Sequence, residues 1–274
     1  VPVATAQTVT VDEDTDVAIT LAGTDTESGT LTYKISTLPS NGTLYQTSDG
    51  TTRGDAISEA STTVSDGSHR VIYVSAENGN GDGHGNFAFV ANDGTSDSDA
   101  AAVTVNVTAV NDAPVATAQT VTADEDVDRV ITLAGTDVEG STLTHTITTL
   151  PSKGTLYQAN SDTSRGDAVT QVPTTVTNAA FKLVYVSALN GNGDGYGNFT
   201  FTVNDGTDDS DAATVTVNVS PVDDPPTVAS GIADVTVDED AENTHIDLST
   251  IFTDLDNEDS DIAESVQANT NETL

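Results

Sequence analysis

The sequence contains no cysteine, methionine or tryptophan, and only 7 Lys and Arg stand against 44 Asp and Glu. Without cysteine there is neither a disulfide framework nor a thiolate metal site. The net charge of −37 argues against nucleic acid and anionic membrane surfaces as partners, because both need basic patches. No run of residues approaches the apolar length of a membrane-spanning helix. Aromatic residues make up 4% of the chain, too few for the stacking platform of a carbohydrate-cleaving pocket. The charge also raises disorder as an alternative. Against it, apolar residues alternate regularly within short runs, and the acids sit at turn positions rather than in blocks.

What the chain does have is a long internal repeat. Pro2 returns at Pro114, Asp12-Glu13-Asp14 at Asp124-Glu125-Asp126, and Asn92-Asp93-Gly94 at Asn204-Asp205-Gly206, each displaced by 112 residues. The junction Val110-Asn111-Asp112-Ala113-Pro114 returns as Val222-Asp223-Asp224-Pro225-Pro226. A period of this length signals an array of domains, each large enough for its own core. The expected division is repeat one at 1–111, repeat two at 112–223, and the N-terminal part of a third repeat at 224–274. The chain opens at Val1 without a signal peptide and stops within the third repeat, so it reads as a piece of a longer protein.

Within repeat one, short runs of period two predict strands at 8–11, 17–21, 31–35, 42–46, 70–74, 87–90 and 103–107. Pro39-Ser40-Asn41-Gly42 is a turn, Asn92-Asp93-Gly94-Thr95 a hairpin, and residues 47–68 a long polar excursion with at most a minor edge strand. This predicts an all-β fold of tandem seven-stranded antiparallel Greek-key sandwiches. The expected core is Val17, Ile19, Leu21, Leu31, Tyr33, Leu44, Ile72, Val74, Phe87, Phe89, Val103, Val105 and Val107. Repeat two follows without insertion or deletion; Tyr33 becomes His145 and His69 becomes Phe181, changes that suit a sheet rim. In the third unit the acidic triplet is Asp238-Glu239-Asp240, and about fifty residues cannot complete a sandwich.

Acids recur in each repeat at the triplet, the loop after the second strand, the glycine loop and the last hairpin. In a seven-strand sandwich the loop after the second strand and the last hairpin share one end. The glycine loop lies at the other, where the triplet is also placed. At the first junction Asp12, Glu13, Asp14, Asp82, Asn111, Asp112, Asp137, Glu139 and Asp205 are therefore expected to converge. Unpaired, these carboxylates repel one another. Calcium, with six to eight oxygen ligands and flexible geometry, suits them better than magnesium or zinc. The plain alternative is a set of solvated loop acids.

The residues Asn111-Asp112-Ala113-Pro114, the Asp-Glu-Asp triplets, Gly23-Thr24-Asp25-Thr26-Glu27, Gly42-Thr43-Leu44 and Asn92-Asp93-Gly94 together resemble cadherin-like repeats. Such repeats occur in large bacterial surface and RTX-type secreted adhesins. The resemblance implies an immunoglobulin-like Greek-key sandwich with Ca²⁺ between successive repeats. By it, Glu13 is similar to the acidic residue that opens a cadherin repeat, and Asn111 and Asp112 to the linker ligands. Asp137 and Glu139 are similar to the paired acids of the next repeat, and Asp205 to its hairpin acid. The Leu-Asp-Arg-Glu segment of cadherins is absent, and Asp82 stands in its place only by position. At the second junction the corresponding residues are Glu125, Asp194, Asp223, Asp224, Asp254 and Asp256, with Asp124 and Asp126 completing the triplet.

Other signals are weaker. Asn78-Gly79-Asn80-Gly81-Asp82-Gly83 imitates an EF-hand opening, but its twelfth position is Phe89 instead of a bidentate glutamate. Arg53-Gly54-Asp55 and Arg165-Gly166-Asp167 spell a tripeptide that integrins recognise, and one duplication accounts for both copies. His69, His84, His145 and His245 have no histidine counterpart in the other repeat and are expected at the surface or rim. Tyr45 and Tyr157 are expected to pack inward.

The first reading is a structural segment of an extracellular or cell-surface adhesin or fibre, with no enzymatic activity. Calcium would stiffen the junctions into a stalk or filament. Its partners would be neighbouring repeats and identical chains in a fibre. The second reading is a polysaccharide- or receptor-binding module that uses residues 47–68, or an accessory domain of a secreted enzyme. Exposed aromatics on a flat sheet would discriminate in its favour.

Overall fold

The structure is a computed structural model. It describes every residue except Ser28, Asp162, Val237, 239–241, 243–244, Asn257, 259–260 and 264–274. The chain divides into two compact units, Val1–Asn111 and Asp112 onward.

Repeat one contains β1 (Val3–Ala4), β2 (Gln7–Asp12), β3 (Asp16–Thr20), β4 (Gly23–Thr24), β5 (Thr32–Thr37), β6 (Thr43–Gln46), β7 (Ala56–Ile57), β8 (Thr62–Thr63), β9 (Arg70–Val74), β10 (Phe87–Asn92) and β11 (Ala101–Thr108). Seven of these form the sandwich expected from the apolar alternation. One sheet runs β2-β11-β10-β5 and ends on β8; the other runs β3-β9-β6 and ends on β7. The small ribbon β1–β4 pairs separately from both sheets, with Ala4 packed against the core. Neighbours are antiparallel with one exception. The first and last long strands, β2 and β11, run parallel in register from Gln7↔Val103 to Asp12↔Thr108.

The core follows from the period-two faces of these strands. β10 turns Phe87, Phe89 and Ala91 inward, and β11 turns Val103, Val105 and Val107. β3 contributes Ile19, and Leu21 follows it. Each large side chain buried this way is worth about 2–3 kcal/mol.

Three expectations change. On β9 the inward residues are Val71 and Tyr73, not Ile72 and Val74. Tyr73 can face inward because its hydroxyl reaches the Asn41 carbonyl at 3.0 Å and so stays hydrogen-bonded. In repeat two, Tyr185 donates to the Lys153 carbonyl at 3.1 Å, and burial, followed by Tyr196, pushes its pKa up to about 12. The excursion at 47–68 is built into the fold: Ile57 and Val64 are buried, β7 extends one sheet and β8 the other. Tyr33 and His145 lie in the core, not at a rim.

Repeat two places β12 (Val115–Ala116), β13 (Gln119–Asp124), β14 (Arg129–Thr132), β15 (Gly135–Thr136), β16 (Thr144–Thr149), β17 (Thr155–Ala159), β18 (Arg165–Ala168), β19 (Thr174–Thr175), β20 (Lys182–Val186), β21 (Phe199–Asn204) and β22 (Ala213–Ser220) in the same topology. The start of the third unit adds β23 (Thr227–Val228) and β24 (Phe252–Thr253), paired as β1 pairs β4 and β12 pairs β15. Of the triplet 238–240, Glu239 and Asp240 lie outside the described residues.

Candidate metal centre

The site begins where the first long strand of each repeat ends. Glu13 follows the last residue of β2, and its N–H still donates to the Thr108 carbonyl at 2.9 Å. That contact turns the side chain inward, and the residue is only 1% exposed. Its Oε1 accepts the Val110 N–H at 2.7 Å and its Oε2 accepts Nδ2 of Asn80 at 3.2 Å. A buried carboxylate thus ties the departing linker to the glycine loop. Repeat two repeats the arrangement: Glu125 accepts the Val222 N–H at 2.9 Å and Nδ2 of Asn192 at 3.1 Å.

The next residue turns back on the glycine loop. Asp126 takes a left-handed φ of 59°, and its N–H donates to Ser187 Oγ at 3.2 Å. Its Oδ1 accepts the backbone N–H of Asn190 at 3.3 Å. Asn190 is itself left-handed, at φ 52°, as asparagine tolerates better than most residues. Turned to satisfy hydrogen bonding, its amide nitrogen donates to Oδ2 of Asp126 and to Oδ2 of Asp224, both at 3.2 Å. In the opposite orientation the amide oxygen faces the same two carboxylate oxygens.

The linker and the downstream loop complete the group. The pairing of β23 with β24 sets Asp254 immediately after β24. The Asp224 N–H donates to Asp256 Oδ2 at 2.7 Å, and the Asp256 N–H donates to Asp254 Oδ1 at 2.9 Å. Repeat two starts in the same way, with the Asp112 N–H directed to Glu139 Oε2 at 3.4 Å. There Asp137 Oδ1 accepts the Ser141 N–H at 2.7 Å, while its Oδ2 is buried and accepts no hydrogen bond from the described residues.

Electrostatics mark Asp224 as the focus. Its carboxyl is held above the usual carboxylate range by desolvation first, then by the charges of Asp126, Asp256, Glu125 and Asp254. Five carboxylates and one amide are thus linked by hydrogen bonds and mutual charge. Among the described residues no group of three or more acidic or imidazole side chains is placed to hold a metal ion. The donor set nonetheless fits a hard cation: every group offers oxygen, and like charges lie close enough to disturb one another.

The sequence-predicted residues divide as follows. Glu125, Asp126, Asp224, Asp254 and Asp256 come together. Glu13 occupies in repeat one the place of Glu125, with Asp14 beside it at φ 57°. Asp112 and Glu139 meet at the start of repeat two. Asp12 and Asp124 are exposed strand ends, and Asn111 and Asp223 are exposed linker residues. Asp205 closes its own hairpin by accepting the N–H groups of Thr207 and Asp208 at 2.6 and 2.8 Å. In repeat one its counterpart Asp93 lines a shallow cavity with Asp25 and Glu27. Asp82 and Asp194 are exposed, and the glycine loop is represented at Glu13, Glu125 and Asp126 by the amides Asn80, Asn192 and Asn190 instead. Those amides were missed by looking only for acids. Their signal was the identical run Asn-Gly-Asn-Gly-Asp-Gly in both repeats.

The Arg-Gly-Asp tripeptides lie along a sheet edge. Arg53 Nε donates to Asp16 Oδ2 at 2.7 Å and its guanidinium sits 5.5 Å over the Tyr45 ring. The Gly54 N–H donates to the Gln46 carbonyl at 2.7 Å, and the Gln46 N–H to the Asp55 carbonyl at 2.8 Å. Arg165 pairs with Asp128 and lies 5.4 Å over Tyr157. Tyr45 and Tyr157 are thus half-buried beneath arginines and do not pack into the core.

Among the described residues no helix is long and apolar enough to cross a membrane. Comparison with curated proteins found no match. Among solved structures the chain is similar to human protocadherin-24 EC1-2 at 17% identity and a TM-score of 0.44, over 82% of this chain and 99% of that one. It is also similar to the human desmocollin-1 ectodomain at 11% identity and 0.41, over 87% and 44%, and to titin domains z1z2 in complex with telethonin at 12% and 0.26, over 81% and 97%. A family model described as the SibA-like, immunoglobulin-like domain matches residues 1–110 and again 104–219. The chain belongs to the family of SibA-like, immunoglobulin-like domains and carries two of them in tandem.

Proposed function

We propose that this chain is a structural segment of an extracellular adhesion protein, in which Ca²⁺ bound at the acidic seams stiffens the array. The observation that carries the reading is the gathering of Glu125, Asp126, Asp224, Asp254 and Asp256 around one raised carboxyl, with the Asn190 amide between two of them. A bound Ca²⁺ would offset the mutual repulsion that raises the Asp224 carboxyl. Glu125, Asp126 and Asn190 would hold it from repeat two, Asp224 from the linker, and Asp254 and Asp256 from the third unit. The buried Oδ2 of Asp137 supports the same assignment for Asp112, Asp137 and Glu139 at the start of repeat two. Ligands drawn from a linker and from both flanking segments make ion binding a stiffening of the seam, because the flexible seam binds poorly. A secreted surface stalk or filament, as in the RTX-type adhesins that the sequence resembles, is the setting this reading proposes.

The test is thermal unfolding with small-angle scattering of the whole chain, in excess Ca²⁺ and again in chelator. A higher Tm and a longer, stiffer particle in calcium are expected. Identical curves in both states would leave only solvated loop acids and defeat the proposal.

A further inference from the structure

Repeat two buries an imidazole where repeat one buries a phenol. His145 is 2% exposed, and among the described residues neither of its ring nitrogens has a hydrogen-bond partner. The ring stacks on Phe181, with centroids 4.0 Å apart and planes 24° from parallel, and also lies 6.1 Å from Phe201 at 16°. Val203 of β21 is registered directly across, and the Val176 N–H donates to the His145 carbonyl. None of Phe181, Phe201, Val203 and Val176 titrates. Burial alone pushes the imidazole below its ordinary 6.5, and no charged group contributes.

The surrounding packing has changed with it. Tyr33, His69 and Ala91 of repeat one correspond to His145, Phe181 and Val203. The Tyr33 hydroxyl lies against the Gly23 backbone. A Cβ placed on Gly23 would stand 3.4 Å from that hydroxyl and 3.3 Å from Ala91. On Gly135, the counterpart of Gly23, it would stand 3.0 and 3.1 Å from the two methyls of Val203. The valine fills the room that the phenol end occupies in repeat one. The histidine therefore sits in a tailored apolar space with no acceptor among the described residues for an extra proton, and a buried charge without a partner is strongly disfavoured.

We infer that His145 makes repeat two an acid-sensitive sandwich, opened at β16 and β21 when the imidazole takes a proton, and that repeat one lacks this response. The sign follows from which state binds the proton. The folded state holds the imidazole neutral, so the unfolded state binds one more proton below the ordinary histidine range. The stability contributed by the neutral ring is complete at pH 7.5 and declines as the pH falls below 6.5, until the folded imidazole itself titrates. The folding equilibrium of repeat two should weaken by up to about tenfold per pH unit across that window.

The experiment is hydrogen exchange of the whole chain in saturating Ca²⁺ between pH 7.5 and 5, corrected for intrinsic exchange rates and read separately for β5 with β10 and for β16 with β21. In the wild type, protection of β16 and β21 should fall with pH while that of β5 and β10 holds. The double substitution H145Y/V203A transfers the packing of repeat one and should abolish the response; His69, His84 and His245 remain in both proteins as controls. Persistence of the pH response in that variant overturns the inference. Should the variant not fold, the wild-type His145 ring resonance decides. A folded-state titration near 6.5 overturns the inference, and a ring still neutral at pH 5 in the folded protein upholds it.

Discussion

Glu13 and Val110 lie at opposite ends of repeat one in sequence and are joined by a 2.7 Å hydrogen bond from the Val110 N–H to Oε1. Glu125 and Val222 stand in the same relation at 2.9 Å. The buried acid that follows the first long strand thus fixes where the chain leaves the domain. Glu13→Ala should cost about 3 kcal/mol, since it removes a buried side chain and the partner of both the Val110 N–H and the Asn80 amide. Glu13→Gln should cost about 1 kcal/mol, because the Asn80 amide can turn to offer its oxygen. Chemical denaturation of the two variants checks the order; equal losses would contradict it.

Glycine is needed at Gly85 for space and at Gly94 for conformation. A Cβ at Gly85 would stand 2.2 Å from the Tyr73 hydroxyl oxygen, against a ring the core holds in place. Gly94 has a φ of 90° with open space around it. Gly85→Ala should lose about 3 kcal/mol through overpacking. Gly94→Ala should lose about 1 kcal/mol through backbone strain alone. Gly197 repeats the Gly85 contact at 2.2 Å from Tyr185, so Gly197→Ala should match it in repeat two.

Asn190 distinguishes a cation site from a hydrogen-bonded cluster. Asn190→Asp places a further carboxylate beside Asp126 and Asp224. In chelator it should lower the Tm of the seam by repulsion. In calcium it should tighten binding about tenfold by adding ligand charge. Asn190→Leu should abolish the calcium response. Calorimetric titration with Ca²⁺ separates these outcomes; an Asn190→Asp protein with weaker binding would count against a direct ligand role.

Stronger acid should act on repeat one through Asp66. Arg70 holds that carboxyl below its usual range, by its side-chain hydrogen bond first, and donates from Nε at 2.7 Å. A depressed folded pKa gives stability that is complete above about 3.8 and is lost as the pH falls below it. Repeat two has Asn178 and Lys182 at these positions. Asp66→Asn should therefore flatten the unfolding profile of repeat one below pH 4 and leave repeat two unchanged.

The sandwich was legible because alternation is strong where one face is wet, as in Phe87-Ala88-Phe89 and Val103-Thr104-Val105. It misled on β9, where Val71, Ile72 and Tyr73 are all buried and a run without polar residues carries no phase. A preference for aliphatic residues then chose the wrong face, and only the reach of the Tyr73 hydroxyl to Asn41 explains the right one. Acid positions pointed to Glu125, Asp126, Asp224, Asp254 and Asp256 because the loops of a sandwich collect at its two ends. Asn190 was invisible to a search for charge, and the burial of His145 was hidden by its polarity. Its three-residue exchange with Tyr33, His69 and Ala91 becomes meaningful only once the strands are paired.

The parallel pairing of β2 with β11 has a mechanical consequence. The chain enters each sandwich along one strand and leaves along its neighbour in the same direction, so a pull on the two ends of the domain draws β2 and β11 past each other lengthwise. The six registered pairs from Gln7↔Val103 to Asp12↔Thr108 are then strained together. An antiparallel hairpin pulled at its open end would instead peel apart one pair at a time. A domain stretched this way yields by shear, and its strength under tension is set by that one ladder more than by its melting temperature.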